Sequence, residues 1–264
     1  MPFELAVRSG GRAQLTPYPF VIAGAAAGLL AGSFIATAAV RFGTGESALV
    51  GRSRCDACAA PVPAYGLVPL FSYAFQGGKA RCCGARIDPI HPVAEGAAAG
   101  IGALSTLLPA AYAIAAAWFG WLLLALALID LRSFRLPNSI VLVLAASGVA
   151  ASLILDTPSP TQSLIGILAG YGSLEAVRRL YRYARGRDGI GSGDPKMLAA
   201  IGAWAGWEPL PTILLLGAAA GLIWAGLAWL AGHPLSWSKR LPFGTLLGIA
   251  AWPVWLWWIA APSV

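Results

Sequence analysis

Apolar runs follow one another along this chain, broken by proline, glycine or charge, and most are long enough to matter to a lipid bilayer. Inside hydrocarbon every backbone N–H and C=O must find its partner within the segment, so apolar runs of about 20 residues are read as helices. Dividing the runs at their breaks places about eight spans, near residues 19–41, 92–108, 110–130, 137–155, 161–181, 195–208, 211–231 and 243–260. The second and sixth are short, so they are read as tilted or partly inserted. The expected fold class is therefore an all-α polytopic membrane protein of about eight transmembrane helices. With 58% hydrophobic and 11% charged residues, a soluble mature protein is excluded. Alanine and glycine inside the runs permit close helix packing. Trp204, Trp207, Trp252, Trp255, Trp257 and Trp258, near the ends of runs, are read as interfacial anchors.

Charge sets the expected orientation. With the N-terminus outside, inner segments hold Arg41, Arg52, Arg54, Lys79, Arg81 and Arg86, then Arg132 and Arg135, then the basic residues from Arg178 to Lys196, then Lys239 and Arg240. That is sixteen of the eighteen basic residues, and only Arg8 and Arg12 fall outside. An even number of spans puts both termini outside and agrees with the positive-inside rule. The net charge of +7 then belongs to cytoplasmic loops facing lipid. No basic stripe is interleaved with exposed aromatics, so nucleic acid is not an expected partner. Ala36-Thr37-Ala38 imitates a signal-peptidase site, but its apolar run is longer than a signal core and more spans follow, so the first helix is read as uncleaved. Three regions result: 1–41, an outer tail and first helix; 42–91, a small cytoplasmic insertion holding all four cysteines; and 92–264, the remaining helices.

Two acids stand where apolar runs meet water on that cytoplasmic side. Asp130 ends the third run, and Asp194 lies in Gly191-Ser192-Gly193-Asp194-Pro195-Lys196, just before the sixth. Acids at a membrane edge are costly and are functional candidates by default. The plain reading of Asp194 is a helix N-cap, because Pro195 disfavours helical backbone before it and suits a first helical position. Lys196 would hold that carboxylate ionised. The plain reading of Asp130 is an interfacial acid paired with Arg132 or Arg135. If the two acids meet, one carboxyl stays protonated while the other activates a water, which is aspartic-protease chemistry. Gly191 and Gly193 would let backbone approach closely. His91 and His233 each adjoin a proline and suit no Ser-His pair.

Several segments together resemble one family, the type IV prepilin peptidases, membrane aspartic proteases of pilus and type II secretion systems. The Gly-x-Gly-Asp-x-Lys pattern at Gly191–Lys196 is one; Ile129-Asp130-Leu131-Arg132 with Leu136-Pro137-Asn138 is another. Gly28-Leu29-Leu30-Ala31-Gly32-Ser33-Phe34 with Arg41, and Leu241-Pro242-Phe243-Gly244, resemble the first helix and the last-helix entrance. The resemblance implies that Asp130 and Asp194 are the catalytic pair, with Gly191, Gly193 and Lys196 in the active-site loop. It also implies prepilin or pseudopilin substrates, whose basic leader is cut at the cytoplasmic edge of the bacterial inner membrane. Many members then methylate the new N-terminus with S-adenosylmethionine, although no methyl-donor motif is readable here.

The insertion resembles the same family. Cys55-Asp56-Ala57-Cys58 matches one half of a paired CxxC knuckle, and Tyr65 to Tyr73 resembles the joining segment. The second half departs: Ala80-Arg81-Cys82-Cys83 has adjacent cysteines, which tend to point apart. A structural zinc site of Cys55, Cys58, Cys82 and Cys83 is the leading expectation, with Cys82 replacing the missing ligand. A Cys55–Cys58 redox pair, or free thiols, is the alternative. His91-Pro92-Val93-Ala94-Glu95 resembles the entry to the family's second helix, with His in place of Tyr. Glu95 is read as capping that helix, in preference to contacting substrate or methyl donor. Two other classes compete: a transporter coupling protons or cations through the acids, which calls for repeats that are not evident, and a non-catalytic scaffold.

Overall fold

A computed structural model describes residues 18–45, 52–63, 66, 68–232 and 241–260. Arg8, Arg12, Tyr65, Leu67, His233, Lys239 and Arg240 lie outside the described residues. The regular structure is helical: α1 (Tyr18–Thr44), the short α2 (Phe71–Phe75), α3 (Ile90–Ser105), α4 (Ala110–Ser133), α5 (Asn138–Leu155), α6 (Pro160–Arg185), α7 (Asp194–Ala205), α8 (Leu210–Leu230) and α9 (Phe243–Ala260). Apart from α2, each falls on one of the expected apolar runs. Five of them, α1, α4, α5, α8 and α9, are long and apolar enough to cross a membrane. The other three fall short for separate reasons. α3 and α7 have 16 and 12 residues, against the ~20 that a bilayer asks. α6 has 26 residues, but its C-terminal half carries Glu175 and four arginines.

Local chemistry explains the breaks. Ser159 and Gln162 form a reciprocal capping box at the start of α6, with Pro160 in the first turn, and Gly186 ends the helix at φ 67°. α4 stops at Phe134, φ 52°, and Pro137 leads into α5.

Small residues decide which helices pair. A Cβ added to Gly24, Gly28 or Gly32 would lie 2.5 Å from the Gly102 carbonyl oxygen, 2.1 Å from that of Ala98 and 2.6 Å from that of Ala94, respectively. Four-residue steps up α1 thus match four-residue steps down α3, an antiparallel pair whose backbones touch. α6 and α7 repeat the device. A Cβ at Gly166 would meet the Gly202 carbonyl oxygen at 2.3 Å, and one at Gly170 would meet that of Leu198 at 2.6 Å. Ser163 adds a hydrogen bond, its hydroxyl donating to the Ala203 carbonyl at 2.8 Å.

The centre of the bundle is aromatic. Phe119 of α4 stacks on Trp204 of α7 at 4.8 Å, and Trp255 of α9 packs edge-on to both. Their indole N–H groups are satisfied by the backbone: Trp204 donates to Leu144 and Trp255 to Trp204, each at 2.8 Å. This corrects the interfacial reading of two tryptophans, since Trp204 and Trp255 are core residues. Trp207, Trp257 and Trp258 remain exposed.

Candidate functional site

The two acids come together because four helix ends meet at one end of the bundle. Asp130 sits in the last turn of α4 and Asp194 begins α7; they are 5% and 6% exposed. The entrance of α9 closes over Asp130. The Thr245 backbone N–H, one of the unpaired donors of that helix's first turn, donates to Asp130 Oδ2 at 2.9 Å. Thr245 Oγ1 donates to the Ala127 carbonyl at 2.8 Å and lies 3.3 Å from the same carboxyl oxygen. The expected pairing of Asp130 with Arg132 is replaced: Arg132 pairs with Asp88 of the insertion.

Asp194 departs from its expected role as N-cap. Gly193 occupies the cap position, and Asp194 is the first helical residue. Its carboxyl turns back to accept the Gly191 N–H at 3.0 Å. This local bond to the loop takes the place of a cap bond within the helix. Lys196 also differs from expectation. Its Nζ donates to Asn138 Oδ1 at 2.9 Å, tying α7 to the start of α5, rather than to Asp194.

One side chain packs against both halves of the pair. A Cβ at Gly193 would lie 3.0 Å from Leu136 Cβ, and one at Gly244 would lie 3.1 Å from Leu136 Cδ1 and 3.0 Å from Asp130 Oδ2. Leu136 therefore fills the space between the glycine beside Asp194 and the glycine beside Asp130. The acids are within electrostatic reach of each other. Two buried carboxyls within electrostatic reach of each other resist ionising together. Sequence reasoning named Leu136 and Gly244 only as members of family-like segments and missed Thr245, whose contact joins residues 115 positions apart.

The cysteines form a second centre from two matching turns. In the first, Arg54 bridges Pro61, Cys55 N–H donates to Ala60 and Ala59 N–H to Cys55. In the second, Lys79 bridges Arg86, Ala80 N–H donates to Ala85 and Gly84 N–H to Ala80. The hydrogen bonds align Cys58 with Cys83 and Cys55 with Ala80, so Cys82 stands where the first turn has Ala57. It still reaches the cluster. Its Sγ is 3.3 Å from Cys58 and 3.9 Å from Cys83, Cys55 is 3.8 Å from Cys83, and all four sulfurs lie within 4.8 Å of one another. Adjacent cysteines do not point apart here. Four thiolates ~2.3 Å from a tetrahedral zinc stand ~3.8 Å from each other, so the residues fit that ion. Backbone N–H groups of Ala57 and Cys58 draw the Cys55 thiol down to about 7, while hydrogen bonding with Cys58 and Cys55 pushes Cys82 up to about 12.

Comparison with known proteins decides the family. The type IV leader peptidase family model matches residues 117–226, which include both acids, and a bacterial peptidase A24 N-terminal domain matches 26–108, which include the cysteines. Relatives called prepilin leader peptidase/N-methyltransferase are similar along most of the chain. That of Aeromonas hydrophila is 37% identical over 212 residues, 79% of this chain and 72% of the relative. That of Pseudomonas aeruginosa is 35% identical over 218 residues, 78% and 71% of the two chains. That of Burkholderia pseudomallei strain K96243 is 37% identical over 200 residues, 75% and 64%. The chain belongs to the type IV leader peptidase family. No solved structure gives a significant match. Family membership sets aside the transporter reading.

In this leader peptidase family member polar contacts hold the insertion on the helices. The Leu70 N–H donates to Glu95 Oε2 at 2.8 Å, His91 Nε2 meets Asp56 Oδ2 at 3.3 Å, and Arg132 pairs with Asp88. The His91 contact holds the Asp56 carboxyl below the usual carboxylate range. Glu95 is thus corrected: it is buried in α3 and caps α2 of the insertion rather than its own helix.

Proposed function

We propose that the protein is a membrane aspartic endopeptidase that removes the basic leader of type IV prepilins or type II secretion pseudopilins, with Asp130 and Asp194 as its catalytic pair. The observation that carries this reading is the meeting of two buried acids, from distant parts of the chain, at one end of the helix bundle. One carboxylate takes a proton from the attacking water and later passes it to the leaving amine, while the other, protonated, donates to the carbonyl oxygen and recovers that proton as the carbonyl re-forms. Gly191 holds Asp194 through its N–H, Gly193 lets Leu136 close in, and Lys196 fastens α7 to α5. The N-methyltransferase named in the relatives extends the reading to methylation of the new N-terminus, for which the family resemblance implies S-adenosylmethionine as donor.

All eight long helices cross the bacterial inner membrane in this reading, α3 and α7 as short spans and α6 through its apolar half. Both termini lie outside, and the acids and residues 42–91 lie on the cytoplasmic side, with 92–264 as the protease domain. Cys55, Cys58, Cys82 and Cys83 would hold a structural zinc that cross-links the two turns of the insertion. The test is cleavage of a candidate prepilin by purified protein. Asp130→Asn and Asp194→Asn should each lower the rate about 10³-fold or more while leaving folded, membrane-inserted protein. Full cleavage by either variant would overturn the assignment.

A further inference from the structure

α6 is longer than the helix it pairs with. Its 26 residues run about 39 Å and the 12 of α7 about 18 Å, at ~1.5 Å per residue. The glycine contacts fix where the excess falls. Gly166 meets Gly202 and Gly170 meets Leu198, so the next four-residue step brings Leu174 level with Asp194. Residues 175–185 therefore extend past the start of α7, at the end of the bundle that holds the acids.

The overhang is charged where the returning chain passes it. Glu175, buried, accepts from Arg178 Nε at 2.9 Å and from Arg179 Nε at 2.8 Å. Half-buried Arg178 also reaches Asp188 Oδ1 at 3.8 Å, and Arg182 Nε donates to the same oxygen at 2.7 Å. Asp188 lies in the loop 186–193 that leads from α6 into α7. Each of the next three residues has its own hold. A Cβ at Gly189 would lie 2.7 Å from the Tyr181 ring, so the backbone rests against that ring. Ile190 packs against the buried core. Gly191 donates its N–H to Asp194 Oδ2 at 3.0 Å and accepts the Asp194 N–H at 3.3 Å.

Four consecutive residues are thus anchored, and the last anchor is the Asp194 carboxyl itself. An isolated surface ion pair fixes little, but here two guanidiniums hold one carboxylate and Glu175 braces one of them. We propose that the overhang of α6 is a splint for the active-site loop, with Asp188 as a positioning residue for Asp194. It acts through Gly191: while Arg178 and Arg182 hold Asp188, the Gly191 N–H stays on Oδ2 and fixes the rotation of the carboxyl. Displacing a reacting group by about 1 Å can cost 10²-fold in rate, so a loosened loop is read in kcat rather than in substrate binding. The proposal rests on the peptidase reading, in which Asp194 is one of the catalytic pair.

Asp188→Ala removes the anchor at an exposed residue, and two measurements on the purified full chain follow the effect. In hydrogen exchange read by mass spectrometry, the peptide spanning 186–193 should exchange about tenfold faster than in the parent, with peptides of α8 and α9 unchanged. In prepilin cleavage, kcat should fall about tenfold with KM within about twofold of the parent, and Asp188→Glu should restore most of the loss. Arg182→Gln should lose less, because Arg178 remains, and the double variant should lose no more than Asp188→Ala alone. Arg185→Gln, on the same helix end, is the control for charge and should cleave like the parent. Unchanged exchange or unchanged kcat in Asp188→Ala, or a loss in Arg185→Gln equal to that in Arg182→Gln, would each overturn the proposal. If the parent cleaves no prepilin, the peptidase reading falls, and exchange alone decides whether Asp188 holds the loop.

Discussion

The acid pair and the cysteine cluster are built by opposite means. Asp130 and Asp194 are 64 residues apart in sequence and meet only because α4, α7 and α9 pack at fixed heights, with glycines at the contacts. The four thiols are brought together by two turns of eight residues each, three of the thiols exposed. Such a small unit needs a cross-link, whereas the acids need only the bundle. The acid site should therefore fail when distant helix packing fails, and the cluster should fail only when its own ligands do.

The strongest way to break that contrast is to separate α6 from α7 far from both centres. A Cβ at Gly202 would already lie 2.2 Å from the Gly166 carbonyl oxygen, backbone that cannot move aside. Gly202→Leu should cost about 3 kcal/mol or more and yield protein that no longer elutes as a single species in detergent. Leucine at the exposed Ala57, inside the first turn, should leave elution and melting temperature unchanged. Normal elution of Gly202→Leu with cleavage intact would show that the acids do not depend on this packing.

A smaller effect is expected from Thr245, which acts on cleavage through Asp130. Thr245→Val keeps the backbone N–H and the shape but removes the hydroxyl 3.3 Å from Oδ2. Loss of a hydrogen-bonding group of this kind costs about 1–1.5 kcal/mol, so kcat should fall about tenfold with KM retained. Thr245→Ser should restore it. A change in KM alone would make the residue a packing element rather than a positioning one.

The same contrast explains what could be read in the sequence. Helices were legible because apolar runs broken by proline and glycine leave little choice of structure, and α4, α5, α8 and α9 lie where those runs lie. Side-chain partners were not. Trp204 and Trp255 look the same near the end of a run whether they face lipid or the core. Glu95 looked like a cap of the helix that contains it, because its true partner, the Leu70 N–H, belongs to a turn with no regular pattern. Thr245 carried no signal, since its meaning depends on a helix end 115 residues away. Asp194 was misread by one helical position, because a loop donor competes with the cap and sequence does not rank the two.

The cluster should tolerate what the acid pair does not, namely moving a ligand along the chain. The two turns share one hydrogen-bond pattern, which puts Ala80 where the first turn has Cys55. Cys82→Ala should release bound zinc, measured as metal per protein after dialysis, with cleavage changed by about twofold or less, because the acids keep their own supports. Adding Ala80→Cys to that variant restores two-residue spacing, and zinc should return to the parent's content. If the double variant stays metal-free, the displaced Cys82 is as strictly placed as Asp130 and Asp194. The two centres would then differ in exposure but not in how narrowly the fold specifies them.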